Sequence, residues 1–149
     1  MKTIFLDIDG VLVLEDAEEY DDNPPPFDKD CVRIFNEILQ ETNAVIVLSS
    51  DWRMVWDLKR LDSIFKFNGV IKSPLDVTSD LNSRRKEIPD YVQRKAVSDF
   101  VILDDMKLEI FPGNFVQCNM KEGIKQAGIK QQVLSIFNKS TRTPSFKKD

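Results

Sequence analysis

The sequence predicts a three-layer, Rossmann-like α/β domain with a mainly parallel sheet held between helices. Three observations carry that prediction. Four short runs, Lys2–Ile8, Ala44–Leu48, Phe100–Leu103 and Phe115–Cys118, are largely apolar and rich in β-branched residues, the pattern of strands covered on both faces. Between them, apolar residues recur at helical spacing, and alternating strands and helices build a parallel sheet with crossover connections. Three of the four runs end in small polar or acidic residues, and open α/β sheets bind ligands at the carboxyl ends of their strands.

Lys2 to Ile8 forms the first strand. The acidic run Glu15-Asp16-Ala17-Glu18-Glu19-Tyr20-Asp21-Asp22 and then Pro24-Pro25-Pro26 follow. Consecutive prolines exclude helix interior and central strand, so this stretch reads as a surface flap. Asp28 or Asp30 caps a helix running to about Glu41, with Val32, Phe35, Ile38 and Leu39 on one face. Ala44–Leu48 is the second strand, and the helix after it turns Trp52, Val55, Trp56 and Leu58 inward. Phe67 to Ile71 reads as a short strand, and Ser73-Pro74 opens an irregular stretch to about Ser83. Arg84 to Ala96 is helical, with Pro89 near its first turn. Phe100–Leu103 and Phe115–Cys118 are the third and fourth of the long apolar strands, and Ile124 to Phe137 closes the fold as a helix. Residues 1–138 make one domain, and 139–149, with Lys139, Arg142, Lys147 and Lys148, read as a basic, flexible tail.

Composition narrows the chemistry. At 149 residues, 42% apolar and 31% charged, the chain matches an ordinary globular domain with room for a core. No apolar stretch has the length to cross a bilayer, and the first strand begins with no signal peptide before it. Cys31 and Cys118 form neither a disulfide framework nor a metal-ligand spacing and read as core residues, consistent with a reducing cytoplasm. The chain contains no histidine, which excludes a Ser-His-Asp triad, a Cys-His pair and a histidine-ligated metal. Six residues beyond the cysteines stand Glu37 and Ile124, so the arginine of a cysteine-phosphatase loop is missing. Acid–base and metal work falls to carboxylates. The net charge of −4 counts weakly against a general nucleic-acid binder.

Asp7-Ile8-Asp9-Gly10-Val11 places two carboxylates at the end of the first strand. Like charges sharing a partly desolvated site repel, and a cation between them, or a proton on one, relieves that. In a parallel sheet, Ser49 and Ser50 and then Asp104 and Asp105 reach the same edge. Oxygen ligands with open positions suit Mg²⁺, which keeps waters and accepts a substrate phosphate.

The order Asp7-Ile8-Asp9-Gly10, Ser49, a basic residue near Arg84, then Asp104-Asp105 resembles the four motifs of the haloacid dehalogenase-like (HAD) phosphohydrolases, over about Lys2 to Phe137. Leu48-Ser49-Ser50-Asp51-Trp52-Arg53, Arg84 with Glu87-Ile88, and Val101-Ile102-Leu103-Asp104-Asp105 resemble a subgroup associated with RNA repair. The phosphatase module of polynucleotide kinase-phosphatases is a related comparison. The resemblance implies a metal-dependent phosphomonoesterase in which Asp7 attacks phosphorus and carries the phosphoryl group. It implies that Asp9 is the general acid and base and offers its backbone carbonyl to the metal, and that Gly10 turns the chain beside the phosphoryl group. Asp104 is implied as a direct metal ligand, with Asp105 acting directly or through water. Ser49 is implied to bind a phosphoryl oxygen, with Ser50 as a weaker substitute. The stabilising cation is Arg84, Arg85 or Lys86; Arg84 best matches the subgroup spacing, and Arg85 stands beside it as a substrate contact. Arg53 is either a phosphate clamp or a surface ion pair, and Trp52 and Trp56, one helical turn apart, read as core.

Only the flap and short insertions are present in place of a large cap, so the expected site is open and the substrate large, such as an RNA or DNA end. The acidic flap opposes a polyanion on its side, and Asp9-Gly10-Val11-Leu12 is also similar to the opening motif of 5′-nucleotidases, which keeps mononucleotides in view. A phospho-accepting receiver is disfavoured, because its acidic pair comes early and its lysine follows the late strand.

Overall fold

The structure is a computed structural model, and it describes residues 1–17 and 24–142. Among these, five strands form one sheet: β1 (Lys2–Leu6), β2 (Val45–Leu48), β3 (Asp76–Val77), β4 (Asp99–Asp104) and β5 (Phe115–Gln117). They lie in the order β3-β2-β1-β4-β5 and every neighbouring pair is parallel. The helices are α1 (Lys29–Thr42), α2 (Trp52–Val55), α3 (Leu58–Phe67), α4 (Arg84–Arg94) and α5 (Ile129–Arg142).

Alternation along the strands divides the core. Ile4, Leu6, Ile46, Leu48, Val101 and Leu103 join one buried cluster with Phe35 of α1, Phe65 of α3 and Phe137 of α5. Phe5, Val47, Phe100 and Ile102 face the other way, against Ile88 and Tyr91 of α4 and against Leu108. Phe5 meets Tyr91 and Phe100 edge to face, each at 5.6 Å, a favoured aromatic geometry. The result is the three-layer α/β architecture that the alternating pattern predicts.

Local chemistry sets the element boundaries. Asp28 caps α1 by accepting from the Cys31 N–H at 3.0 Å, and Asn43 closes that helix in the left-handed conformation. The helix expected after β2 is two helices. Trp56 is extended, and Asp57 caps a new helix by accepting from Arg60 N–H at 2.8 Å. Val55 and Leu58, on either side of the break, face solvent, while Trp52 is buried.

Phe67 to Ile71 is not a strand. Phe67 ends α3 and is exposed, and Gly69 turns at φ +81°, so the Asn68-Gly69 turn overrides a short apolar run. The strand beside β2 is β3, outside any apolar pattern. Pro89 lies inside α4, in its second turn, and the helix ends at Arg94. α5 begins at Ile129, after Gly128 at φ +94°, and continues through Arg142 into residues assigned from sequence to a tail. Residues 18–23, which hold most of the acidic run, and 143–149 lie outside the described residues. No described helix is long and apolar enough to cross a membrane.

Candidate functional site

Register places the site. Leu6 of β1 lies beside both Leu48 of β2 and Leu103 of β4, so the next residues, Asp7, Ser49 and Asp104, stand in line at one edge. Backbone bonds extend the alignment one step: Asp7 N–H donates to Leu103 O and Ser49 N–H to Leu6 O, both at 3.0 Å.

Asp7 and Asp104 are buried. Ligand oxygens of Asp7, Asp104 and Asp105 lie within 4.8 Å of one another. Arg84, at the start of α4, reaches across the cluster. Its Nη1 donates to Asp7 Oδ2 at 3.2 Å and to Asp104 Oδ2 at 3.1 Å, and its Nη2 lies 3.6 Å from Asp51 Oδ1. Backbone N–H groups hold the carboxylates from behind, Ile8 on Asp7 Oδ1 and Met106 on Asp104 Oδ1, both at 2.9 Å.

Burial and the neighbouring Asp104 push the Asp7 carboxyl up to about 9, against the pull of Arg84. Burial also raises Asp104, opposed by Arg84 and the Met106 N–H. One guanidinium facing three carboxylates leaves an excess of negative charge, and three converging oxygen donors are a fitting set for a hard divalent cation.

Gly10 makes room for this cluster. The chain folds back on itself as the N–H groups of Val11, Leu12 and Val13 all donate to Ile8 O. Gly10 stands at φ +81°, and a Cβ there would meet Asp105 Oδ2 at 2.4 Å. Only glycine fits both conditions.

Asp9 stands apart. Its carboxylate lies outside the three-carboxylate cluster, at the exposed rim, where Oδ2 accepts from the Trp52 indole N–H at 3.1 Å. Desolvation raises its carboxyl, while the Trp52 bond pulls it down.

The remaining candidates separate by position. Ser49 Oγ is buried with no hydrogen-bond partner among the described residues, a polar atom aligned with Asp7 and available to a ligand oxygen. Ser50 Oγ accepts from the Trp52 N–H at 3.2 Å, as a helix cap does. Arg53 is drawn away from the carboxylate cluster. Its Nη2 pairs with Glu87 at 3.0 Å with both side chains nearly inaccessible, and its Nε and Nη1 donate to Thr78 O and Ser50 O. That geometry departs from a phosphate clamp, and the pair is buried where a surface ion pair was the other expectation. Arg85 is exposed and pairs with Glu109 at 3.3 Å. Lys86 is exposed on α4. Of the three candidate cations, Arg84 is the one touching Asp7.

Sequence reasoning missed the structural weight of Glu87, which accepts from Leu81 N–H as well as pairing with Arg53, and the bond between Trp52 and Asp9. The motif residues Arg53 and Glu87 were visible as a string, but nothing in the string pairs them.

A family model described as the HAD domain in Swiss Army Knife RNA repair proteins matches residues 3–129. The chain belongs to that family. A search among curated proteins finds no match. In this HAD domain the matched span contains all three clustered carboxylates together with Asp9, Ser49 and Arg84, and it ends where α5 begins.

Proposed function

We propose that this HAD domain is a Mg²⁺-dependent phosphomonoesterase that works through an aspartyl phosphate on the phosphorylated ends of nucleic acid, 3′ or 5′. The observation that carries the reading is the alignment of Asp7, Ser49 and Asp104 at one sheet edge with Arg84 bonded to both carboxylates. Asp7, Asp104 and Asp105 would hold the ion, with the Asp9 carbonyl as a further ligand. Bound there, Mg²⁺ offsets repulsion between the anionic nucleophile and the phosphate and orients both.

Asp7 attacks phosphorus and forms the acyl phosphate. Arg84, whose guanidinium reaches across the carboxylates, stabilises the phosphoryl oxygens, and Ser49 donates its hydroxyl proton to one of them. Asp9 gives a proton to the leaving oxygen and then takes one from the hydrolytic water. Its raised carboxyl suits both duties. Ser50 holds the Trp52 N–H in the turn after Ser49, and Arg53 supports the substrate site through its carbonyl contacts rather than by touching phosphate. Arg85 is placed for a more distant substrate group. The proposed setting is a reducing cytoplasm, with residues 1–138 carrying the chemistry.

RNA repair in the family description favours a nucleic-acid end. One observation favours a mononucleotide instead: Glu15 lines the cleft shared by Asp9, Gly10 and Asp105, and its charge opposes a second phosphate there. Purified protein with Mg²⁺ should release phosphate over many turnovers from phosphate-terminated oligonucleotides, faster than from mononucleotides, and chelator should stop it. Faster mononucleotide turnover would transfer the reading to a nucleotidase, and a stable phosphoprotein with no turnover would leave a phospho-accepting regulator.

A further inference from the structure

An exposed aspartate ordinarily samples several rotamers, and one that must deliver a proton to a single oxygen loses rate by doing so. In this protein Asp9 is tethered. The Trp52 side chain is buried, its ring 5.8 Å from Phe27 and 5.0 Å from Trp56, with Phe27 itself packed on Phe65 at 5.3 Å. Those contacts fix the plane of the indole. Its single polar atom can only donate, and it donates to Asp9 Oδ2 at 3.1 Å. The backbone of Trp52 is in turn bonded to Ser50 Oγ, so the donor rides on the same turn that carries Ser49.

We propose that Trp52 is a positioning residue for the proton transfers of Asp9, holding Oδ2 so that Oδ1 is the oxygen that carries and delivers the proton. The inference rests on the acid–base reading of Asp9 given above. An oxygen that accepts an N–H has that direction occupied, which leaves the proton of the neutral acid on the other oxygen. In the first step the proton passes from Asp9 Oδ1 to the ester oxygen as the bond from phosphorus to that oxygen breaks and the bond from Asp7 to phosphorus forms. In the second, water gives a proton back to Oδ1 while its oxygen takes phosphorus from Asp7, releasing inorganic phosphate. A tryptophan that served packing alone would be replaceable by phenylalanine with no change in which substrates suffer.

Trp52→Phe keeps an aromatic ring between Phe27 and Trp56 and removes the N–H. kcat/KM, which covers leaving-group departure, should fall about tenfold for an alkyl ester such as a phosphate-terminated oligonucleotide. It should stay within about twofold for 4-nitrophenyl phosphate, whose leaving group needs little protonation. Uniform loss across both substrates, or no loss, overturns the proposal. Asp9→Asn separates the two layers of argument. If it keeps the wild-type dependence on leaving group, the acid–base reading fails and this inference with it; if it steepens that dependence while Trp52→Phe leaves it as in the wild type, the positioning role alone fails. A second readout needs no turnover. The chain has two tryptophans, so the indole N–H resonance missing in Trp52→Phe belongs to Trp52. Asp9→Ala should move that resonance upfield, and an unmoved resonance overturns the contact itself.

Discussion

At Gly10 a single hydrogen side chain separates an open carboxylate cluster from a blocked one. Gly10→Ala combines a disfavoured φ with a Cβ driven into Asp105. It should destabilise the protein by about 1–3 kcal/mol and displace Asp105, seen as a lower Tm together with weaker metal binding. Asp7 carries a different liability. Its carboxyl rises from an ordinary 3.8 to about 9, chiefly through burial, so the folded state favours the protonated acid. The stability this contributes is complete below about pH 4 and drains away as pH climbs toward 9. Metal-free protein should therefore lose Tm over that range. Mg²⁺ should restore more at its alkaline end, with proton release on binding at neutral pH; a Mg²⁺ effect on Tm that is flat with pH would contradict this. Asp7, Asp104 and Ser49 were legible beforehand because each directly follows an apolar strand, and the pattern of a parallel sheet says which edge they share. Arg53 was not, since its role depends on a glutamate 34 positions away with no shared periodicity.

Among the elements, α4 has the most to do. Its first turn holds Arg84 over the carboxylates, and three residues on Glu87 locks the same turn to Arg53, whose guanidinium also gathers the carbonyls of Ser50 and Thr78. One buried bracket thus joins the turn after β2, the end of β3 and the start of α4. Glu87→Ala leaves the Arg53 charge buried without its partner and should cost about 3–5 kcal/mol in chemical denaturation. Glu87→Gln retains an acceptor for the Leu81 N–H and should lose less stability, while slowing turnover by loosening Arg84. β1, β2, β4 and β5 were readable as apolar runs because both faces of the sheet are covered. β3 was not, because two residues, Asp76 and Val77, are too few to carry a pattern and are recruited by backbone bonds from Leu75 N–H to Ile46 O and Thr78 N–H to Leu48 O. The split between α2 and α3 escaped notice for a related reason: Asp57 competes for a cap inside a segment whose apolar spacing suggested continuity.

Across the whole molecule the two faces of the sheet are unequally dressed. α1, α3 and α5 share one, while among the described helices α4 alone contributes buried residues to the other cluster. That asymmetry was not readable from the sequence, which assigns helices to the gaps between strands but not to a side. It has a consequence for motion. A layer made by one helix opens locally at less free energy than a layer made by three, and this helix begins with Arg84, the proposed grip on the anion. Capture of phosphate or of an inert analogue such as vanadate should slow deuterium uptake by the amides of 84–94 well before it touches those of α1 or α5. Uniform slowing across all helices would speak against it. Ligand and lone helix would then breathe together, making this thinly covered flank the place where occupancy is felt.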